Sequence, residues 1–291
     1  MSYQREDVSG LSCLITGATS GIGTETARGL AEQGVKLTIL CRSQAKGEQL
    51  REELISSTGN QNIDLLVADM ASLEQVNAAA QEYLDSGKPL DLLINNAGVV
   101  NTSRKLTVDG YEEMFAVNHL APFLLTNCLL PLLKKSDYGR IVNVASDAHH
   151  FVRGMEFDDL QSERKYKTIS VYGRSKLGNI LFMNELVKRL GDSPVTMNSL
   201  HPGAVSTGLG LQNDGILSRI VPKLLKPFFK TPAQGAETTL YMALASEMKG
   251  VTGGYYANCK PGKMKPWAKD DEAAEKLWKV SQGMVHLEET V

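Results

Sequence analysis

The sequence predicts an α/β fold in which helices cover both faces of a doubly wound parallel sheet. Short apolar runs alternate with helical patterns as far as the sixth run, at residues 195–200. The chain has 291 residues, 42% of them hydrophobic, which is enough to bury a large core. Because no internal repeat, low-complexity block or linker interrupts the pattern, we expect one domain over residues 1–291.

Composition narrows the location and the partners of the protein. The net charge of −2 gives no general reason to bind nucleic acid. Residues 1–12 are polar and carry both acids and bases, unlike a signal or transit peptide, and no apolar run approaches the ~18–20 residues of a membrane span. We therefore expect a soluble cytoplasmic protein. The cysteines lack metal-type spacing and are expected to be reduced thiols; they are Cys13, Cys41, Cys128 and Cys259.

The first apolar run, residues 11–15, leads into a glycine-rich turn at residues 16–23 and then into a helical pattern. Glycines adopt backbone torsions that other residues avoid, and they let a ligand approach the main chain. The helix start offers unpaired N–H groups and a positive dipole end, which suit a pyrophosphate. Packing alone can also place glycines in such a turn, and their spacing differs from G-x-G-x-x-G. The nucleotide-binding residues that we assign here are Gly17, Ser20, Gly21, Ile22 and Gly23.

The second run, residues 35–40, is followed by cations rather than by an acid. An acid at this point would bind the adenosine ribose hydroxyls and repel a 2′-phosphate, whereas Arg42 and Lys46 would attract one. The charge pattern therefore favours NADP(H) as the cofactor. The alternative is that both side chains are solvated cations at the start of a helix.

Two further strand ends carry polar or small side chains. Asp69 follows the third run, residues 63–68, and we expect it either to accept from the adenine amino group or to cap a helix that starts near Ser72. The fourth run, residues 90–94, is followed by small residues and amides that would let a flat ring lie close to the chain. The residues that we assign to this cofactor wall are Asn95, Ala97 and Gly98.

Three polar groups come next along the chain. Asn118 interrupts an apolar helix predicted for residues 110–133, and it is either bonded within the protein or binds a water. A fifth strand, residues 140–146, ends with Ser146. Tyr172 and the lysine four residues after it lie one helical turn apart.

This lysine, Lys176, could change the chemistry of Tyr172. A phenol normally loses its proton near pH ~10. A neighbouring ammonium favours the phenolate and would lower the pKa of Tyr172, so that the phenol could exchange a proton with a substrate oxygen near neutral pH.

In their joint order and spacing, these motifs resemble the short-chain dehydrogenase/reductase family, from about residue 10 to residue 260. Each motif is weak on its own. The resemblance implies a Rossmann-type domain that transfers hydride between a nicotinamide cofactor and a substrate. The motifs are Thr16-Gly17-x-x-x-Gly21-x-Gly23, Asn95-Asn-Ala-Gly98, Asn118, Ser146, Tyr172-x-x-x-Lys176 and Pro202-Gly203.

The resemblance also implies a role for each group. Tyr172 would be the acid/base, and Ser146 would polarise the substrate carbonyl. Lys176 would hold the nicotinamide ribose and lower the pKa of Tyr172, while Asn118 would hold a water in a proton relay. The residues implied to lie against the nicotinamide after the sixth run are Pro202, Gly203, Val205 and Thr207.

Within the family, Cys41-Arg42, the insertion at residues 147–171 and His201-Pro-Gly are most similar to the branch of retinol dehydrogenases and light-dependent protochlorophyllide reductases. The intact Asn95-Asn-Ala-Gly98 motif favours the retinol dehydrogenase side. Many retinol dehydrogenases carry an N-terminal hydrophobic anchor, and the polar residues 1–12 depart from that pattern. We expect this departure to argue against a membrane location and against retinol as the substrate.

Substrate specificity is expected to lie in residues 204–232, the variable segment that closes the pocket in this family. Within it, apolar residues at 216–229 recur in pairs every four residues with cations between them, and two prolines divide the pattern into two short helices. Three interpretations are open: a helix pair packed on the core, an apolar substrate lid, or peripheral contact with an anionic bilayer. The last two favour a lipophilic substrate.

We therefore predict an NADP(H)-dependent oxidoreductase that interconverts a lipophilic aldehyde or ketone and its alcohol, as a retinol dehydrogenase-like carbonyl reductase. A steroid or secondary-metabolite ketoreductase is the second enzymatic interpretation. A non-catalytic dinucleotide-sensing interaction protein is the alternative of another class. The complete set of Asn118, Ser146, Tyr172 and Lys176 argues against that alternative.

The expected partners are few. The substrate would be a lipophilic small molecule, no nucleic acid is expected, and a homo-oligomer is left open. We predict no metal site, because His149, His150 and His201 are too loosely arranged for one and because an acid/base mechanism needs none.

Overall fold

A computed structural model describes residues 4–205 and 230–288 and confirms the predicted fold class. The strands in these ranges form one sheet in the order β3-β2-β1-β4-β5-β6-β7-β8, in which β1 to β7 are parallel and β8 is antiparallel to β7. The direction of chain progression reverses between β1 and β4, and open sheets of this kind bind ligands at such a switch point. The strands are Ser12–Thr16 (β1), Lys36–Cys41 (β2), Ile63–Val67 (β3), Leu92–Asn95 (β4), Arg140–Val144 (β5), Thr196–His201 (β6), Tyr255–Ala257 (β7) and Lys260–Pro261 (β8).

Helices cover both faces of the sheet, as the sequence predicts. Successive strand residues point to opposite faces, so that Leu14 joins one buried core while Cys13 and Ile15 join the other. The core that contains Leu14 packs against α3, α4, α5 and α7, and the second core packs against α1, α2 and α6. These helices are Gly21–Ala31 (α1), Gln44–Thr58 (α2), Leu73–Asp85 (α3), Glu113–Leu133 (α4), Thr168–Leu190 (α5), Pro232–Leu244 (α6) and Asp271–Met284 (α7).

The ends of two elements differ from the prediction for local reasons. Strand β5 ends before Ser146, whose hydroxyl instead accepts from the Ala148 N–H at 3.1 Å and caps a 3-10 turn, Asp147–Phe151. Helix α4 begins later than predicted because the carboxylate of Glu112 accepts from the N–H groups of the first helical turn. The first cap fixes the turn that follows Ser146, and the second fixes the start of α4.

Helix α4 corrects one expectation from the sequence. The helix has 21 residues, and an 18-residue stretch of it has a mean hydropathy of 1.4, as in a membrane-spanning helix, although the sequence predicts that no run comes close. Yet 83% of this stretch is buried within the protein. The apolar side chains of α4 therefore form part of the core. Its segment Ala116–Leu120 is π-helical and carries Asn118.

Three aromatic side chains fix the back of α5, the helix that carries Tyr172. The ring centre of Phe123 in α4 lies 5.1 Å from that of Phe182 in α5 and 4.9 Å from that of Trp278 in α7. All three residues are buried. Aromatic pairs at such distances stabilise a core beyond the area that they bury.

Replacement of Phe123 by Ala should lower the free energy of unfolding by about 3–5 kcal/mol, because it leaves a cavity between three helices. Urea denaturation of the purified protein measures this change. Phe151→Ala is the matched control, since Phe151 is 72% exposed and its loss should change stability by less than about 1 kcal/mol. Equal losses in the two variants would contradict the packing role of Phe123.

Candidate functional site

A cleft of about 570 Å³ lies at the carboxyl ends of the strands and brings most of the predicted site residues together. Its volume is in the range of small-molecule and cofactor sites. Asn95 and Asn118 do not line it, and Thr207 lies outside the described residues. The predicted residues that line the cleft are Gly17, Ser20, Gly21, Ile22, Gly23, Arg42, Lys46, Asp69, Ala97, Gly98, Ser146, Tyr172, Lys176, Pro202, Gly203 and Val205.

The glycine turn is both tightly packed and open to a ligand. Gly17 has a φ of +68°, and a Cβ at this position would lie 2.7 Å from the Cα of Ala97. A Cβ at Gly23 would collide with the Gly17 carbonyl and with the amide of Asn96. At the start of α1, Ser20 makes no side-chain capping hydrogen bond, so that, within the described part of the chain, the first N–H groups of the helix are left for another acceptor. This arrangement suits a pyrophosphate.

The cationic end of the cleft contains an acid as well. The side chain of Arg42 is 62% exposed, and its guanidinium lies 3.8 Å from the carboxylate of Asp69. Of the two alternatives for Asp69, capping is wrong, because the hydroxyl of Ser72 caps α3. Asp69 instead accepts from the N–H of Ala71 at 3.0 Å. Lys46 lies in the first turn of α2 and also lines the cleft.

Ser146, Tyr172 and Lys176 meet at the other end of the cleft. The ammonium of Lys176 donates to the Val144 carbonyl at 2.8 Å and lies 5.9 Å from the centre of the Tyr172 ring. Burial lowers the pKa of Lys176 to about 8. Burial also raises the pKa of Tyr172 to about 12, and the hydrogen bond with Ser146 opposes this rise.

The expected lowering of the Tyr172 pKa by Lys176 is therefore wrong for the protein as described. Removal of water disfavours the phenolate, and this effect exceeds the favourable effect of the Ser146 hydroxyl. The phenol is consequently protonated at neutral pH. In this state Tyr172 is a proton donor.

Asn118 lies beneath the cleft, and its side chain is bonded within the protein. Its Oδ1 accepts from the Val99 N–H at 2.8 Å, while its Nδ2 donates to the Val99 carbonyl and to the Ser175 hydroxyl at 3.0 and 2.9 Å. A Cβ at Gly98 would lie 3.2 Å from this Oδ1 and 3.3 Å from the ammonium of Lys176. The structure thus favours the first alternative for the amide, and Asn118 supports the floor of the cleft.

The assignment of Asn95 to the cofactor wall is wrong. Its amide is buried and donates to Thr126 Oγ1 at 2.9 Å and to Asn143 Oδ1 at 2.8 Å. The next residue, Asn96, lines the cleft, and its amide donates to the carbonyls at the start of the glycine turn. Neighbouring residues of a strand point to opposite faces, so an assignment that is wrong by one residue exchanges a buried amide for one that lines the cleft.

The cleft contains residues that the sequence analysis missed. Most of them adjoin predicted residues at strand ends, and that position is the signal that could have found them. Glu113 and Val117 lie on α4 and not at a strand end, and no local pattern in the sequence indicates that they reach the cleft. The missed residues at strand ends include Thr19, Ser43, Met70, Val99 and His201.

The sequence predicts that His149, His150 and His201 are too loosely arranged for a metal, and two of these histidines lie close to an acid. One ligand atom from each of Asp147, His149 and His150 lies within 4.8 Å of the other two. The third histidine, His201, places its Nε2 3.5 Å from the carboxylate of Asp147. Asp147, His149 and His150 follow Ser146 directly in the chain.

The variable segment is described only at its two ends. Val205 forms a parallel bridge with Lys230, whose N–H donates to the Ala204 carbonyl at 2.8 Å. The two ends therefore lie side by side at the rim of the cleft. The three interpretations of residues 216–229 concern a part of the chain outside the described residues.

Comparison with known proteins places this geometry in a family. The model of the short chain dehydrogenase family matches residues 12–214. Human retinol dehydrogenase 14 is 43% identical over 96% of this chain and 87% of its own length, and human retinol dehydrogenase 12 is 42% identical over 92% and 84%. A crystal structure of a putative uncharacterized protein from Mycobacterium paratuberculosis superimposes with a TM-score of 0.79 at 30% identity, covering 99% of this chain and 98% of the other.

These likenesses agree with the order of the motifs and with the arrangement of the cleft. They extend over nearly the whole chain rather than over the glycine turn alone. They show an oxidoreductase of the kind that uses a nicotinamide dinucleotide. The chain belongs to the short-chain dehydrogenase/reductase family, in its retinol dehydrogenase-like branch.

Proposed function

We propose that the protein reduces a lipophilic aldehyde or ketone to its alcohol with NADPH, and catalyses the reverse reaction with NADP⁺. The observation that carries the proposal is the meeting of Ser146, Tyr172 and Lys176 at one end of a cleft whose other end carries Arg42 and Lys46. A site with both a proton donor and a phosphate-binding end suits hydride transfer better than sensing alone.

The spacing of the two ends supports a dinucleotide. Arg42 follows β2 and Ser146 follows β5, and these strands are separated by β1 and β4. Three strand spacings correspond to about 14 Å. The glycine turn after β1 lies between the two ends, so that the pyrophosphate of an extended dinucleotide would meet the start of α1.

The chain's own residues account for the proton. When bound, the cofactor supplies hydride to the carbonyl carbon or accepts it in the reverse direction. The Ser146 hydroxyl would donate to the carbonyl oxygen as negative charge develops there. Tyr172 would transfer its proton to the same oxygen. Burial raises the pKa of Tyr172 to about 12, so the phenol holds the proton that reduction requires at neutral pH.

The proposed class of substrate is based on the similarity of this chain to the relatives reported above. The relatives named above are retinol dehydrogenases, which supports a lipophilic alcohol or aldehyde. Three expectations from the sequence are retained as part of this proposal: one domain, a cytoplasmic location, and specificity set by residues 204–232.

The chemical role of Tyr172 is tested by Tyr172→Phe. We expect the variant to lose about 10²- to 10⁴-fold in kcat for NADPH-dependent reduction of long-chain aldehydes, because it cannot give the proton. NADPH affinity, measured by quenching of protein fluorescence, should stay near that of the wild type. Tyr111→Phe is the control, since Tyr111 lies outside the cleft. Tight NADPH binding without turnover of any aldehyde or ketone by the wild type would support the sensor instead.

The cofactor preference is tested by Arg42→Ala. A charge-assisted contact with a 2′-phosphate contributes roughly 1.5–3 kcal/mol, so the Kd for NADPH should rise roughly 10- to 150-fold while that for NADH hardly changes. Arg51→Ala is the matched control, because Arg51 lies on the same helix as Lys46 but outside the cleft. An equal loss for both cofactors would contradict the proposed selection.

The pH dependence of NADPH binding tests Lys176. Its pKa is lowered to about 8, so the ammonium is present below that pH and is lost above it. We expect the Kd for NADPH to rise between about pH 7 and about pH 9.5 in titrations of the free enzyme. Lys176→Met should bind more weakly and show no such rise. A wild-type Kd that is constant over this range would contradict a role for the ammonium.

A further inference from the structure

Three side chains of the turn that follows Ser146 have no part in the proposed hydride transfer. Asp147, His149 and His150 belong to the 3-10 turn Asp147–Phe151, and one ligand atom from each lies within 4.8 Å of the other two. The rings of the two histidines are 4.2 Å apart between centres. Such proximity of two imidazoles and a carboxylate raises the question of what they bind.

His149 presents a buried nitrogen with a free lone pair. Its Nδ1 lies 2.7 Å from the Ser146 carbonyl, and since a carbonyl only accepts, Nδ1 carries the proton and Nε2 is bare. His149 is 0% exposed, and its Nε2 has no hydrogen-bond partner among residues 4–205 and 230–288. A buried acceptor without a donor is unfavourable, and a bound cation would relieve this.

His150 is arranged in the same way with its nitrogens exchanged. Its Nε2 lies 3.2 Å from the Lys263 carbonyl, which makes Nε2 the donor and leaves Nδ1 bare. Each ring is thus oriented by a backbone carbonyl, as is usual for histidines that bind metals. His150 is only partly buried, so its ring can adjust to a ligand.

Asp147 adds a negative charge and access from solvent. One of its carboxylate oxygens accepts from the Tyr255 hydroxyl at 2.8 Å, and the other lies 3.5 Å from Nε2 of His201. The side chain is 45% exposed. Carboxylate oxygens can accept more than one partner, so both contacts leave lone pairs for a cation.

We propose that Asp147, His149 and His150 form a binding site for a divalent transition metal of the zinc type. Two imidazole nitrogens and one carboxylate oxygen suit Zn²⁺ or Co²⁺, whereas Mg²⁺ and Ca²⁺ prefer oxygen alone. Bonds of about 2.0–2.2 Å require donor atoms about 3.3 Å apart in a tetrahedral site. To reach these distances, the partly exposed side chains of Asp147 and His150 would have to move toward the buried His149, and water would complete the coordination.

The experiment is a titration of the untagged full-length protein with Co²⁺, followed by its visible absorption, and with Zn²⁺ in a competition assay against a chromophoric chelator. We expect saturable binding of one ion without a thiolate charge-transfer band. Asp147→Asn and His150→Ala should each weaken binding by about tenfold or more. His286→Ala, which removes an exposed histidine outside the group, should bind as the wild type does.

Absence of saturable binding would overturn the proposal, as would equal affinity in His150→Ala and the wild type. Circular dichroism detects whether a change at Asp147 impairs folding. If it does, His150→Ala still tests metal binding, because His150 is partly exposed. The readout is metal binding without turnover, so the result is independent of the proposed reduction of carbonyl compounds.

Discussion

One buried hydrogen bond holds the candidate site together, the bond from the Lys176 ammonium to the Val144 carbonyl. An ammonium in a protein interior is unfavourable unless it is hydrogen-bonded. This bond ties α5 to the end of β5, the strand that leads to Ser146, and so sets the distance between the groups on the helix and those after the strand. Gly98 packs closely beside it, because a Cβ there would lie 3.3 Å from the ammonium of Lys176 and 3.2 Å from the Oδ1 of Asn118.

The rest of the fold supports this bond from two directions. Behind α5, the rings of Phe123, Phe182 and Trp278 fix the helix against α4 and α7. Beneath the cleft, the amide of Asn95 connects β4 to β5 through Asn143. Apolar packing thus fixes the position of the helix, while buried amides fix the relative register of the strands that end at the site.

Much of this architecture could be predicted from local patterns. The alternation of strands and helices, the glycine turn and the cations after β2 each depend on residues close together in the chain. The role of Asn95 could not be predicted in this way, because a shift of one residue in a strand changes the face to which a side chain points. The pKa of Tyr172 depends on burial by several elements, and the approach of His149 to His150 depends on a 3-10 turn that a periodic pattern does not reveal.

The bridge between Val205 and Lys230 has a consequence for the evolution of substrate choice. It holds the residues on either side of the segment next to each other, through a hydrogen bond from the Lys230 N–H to the Ala204 carbonyl. The chain therefore leaves the scaffold and returns to it at one place on the rim of the cleft. Selection can change the length or the sequence between these two positions without displacing the groups that carry the proton.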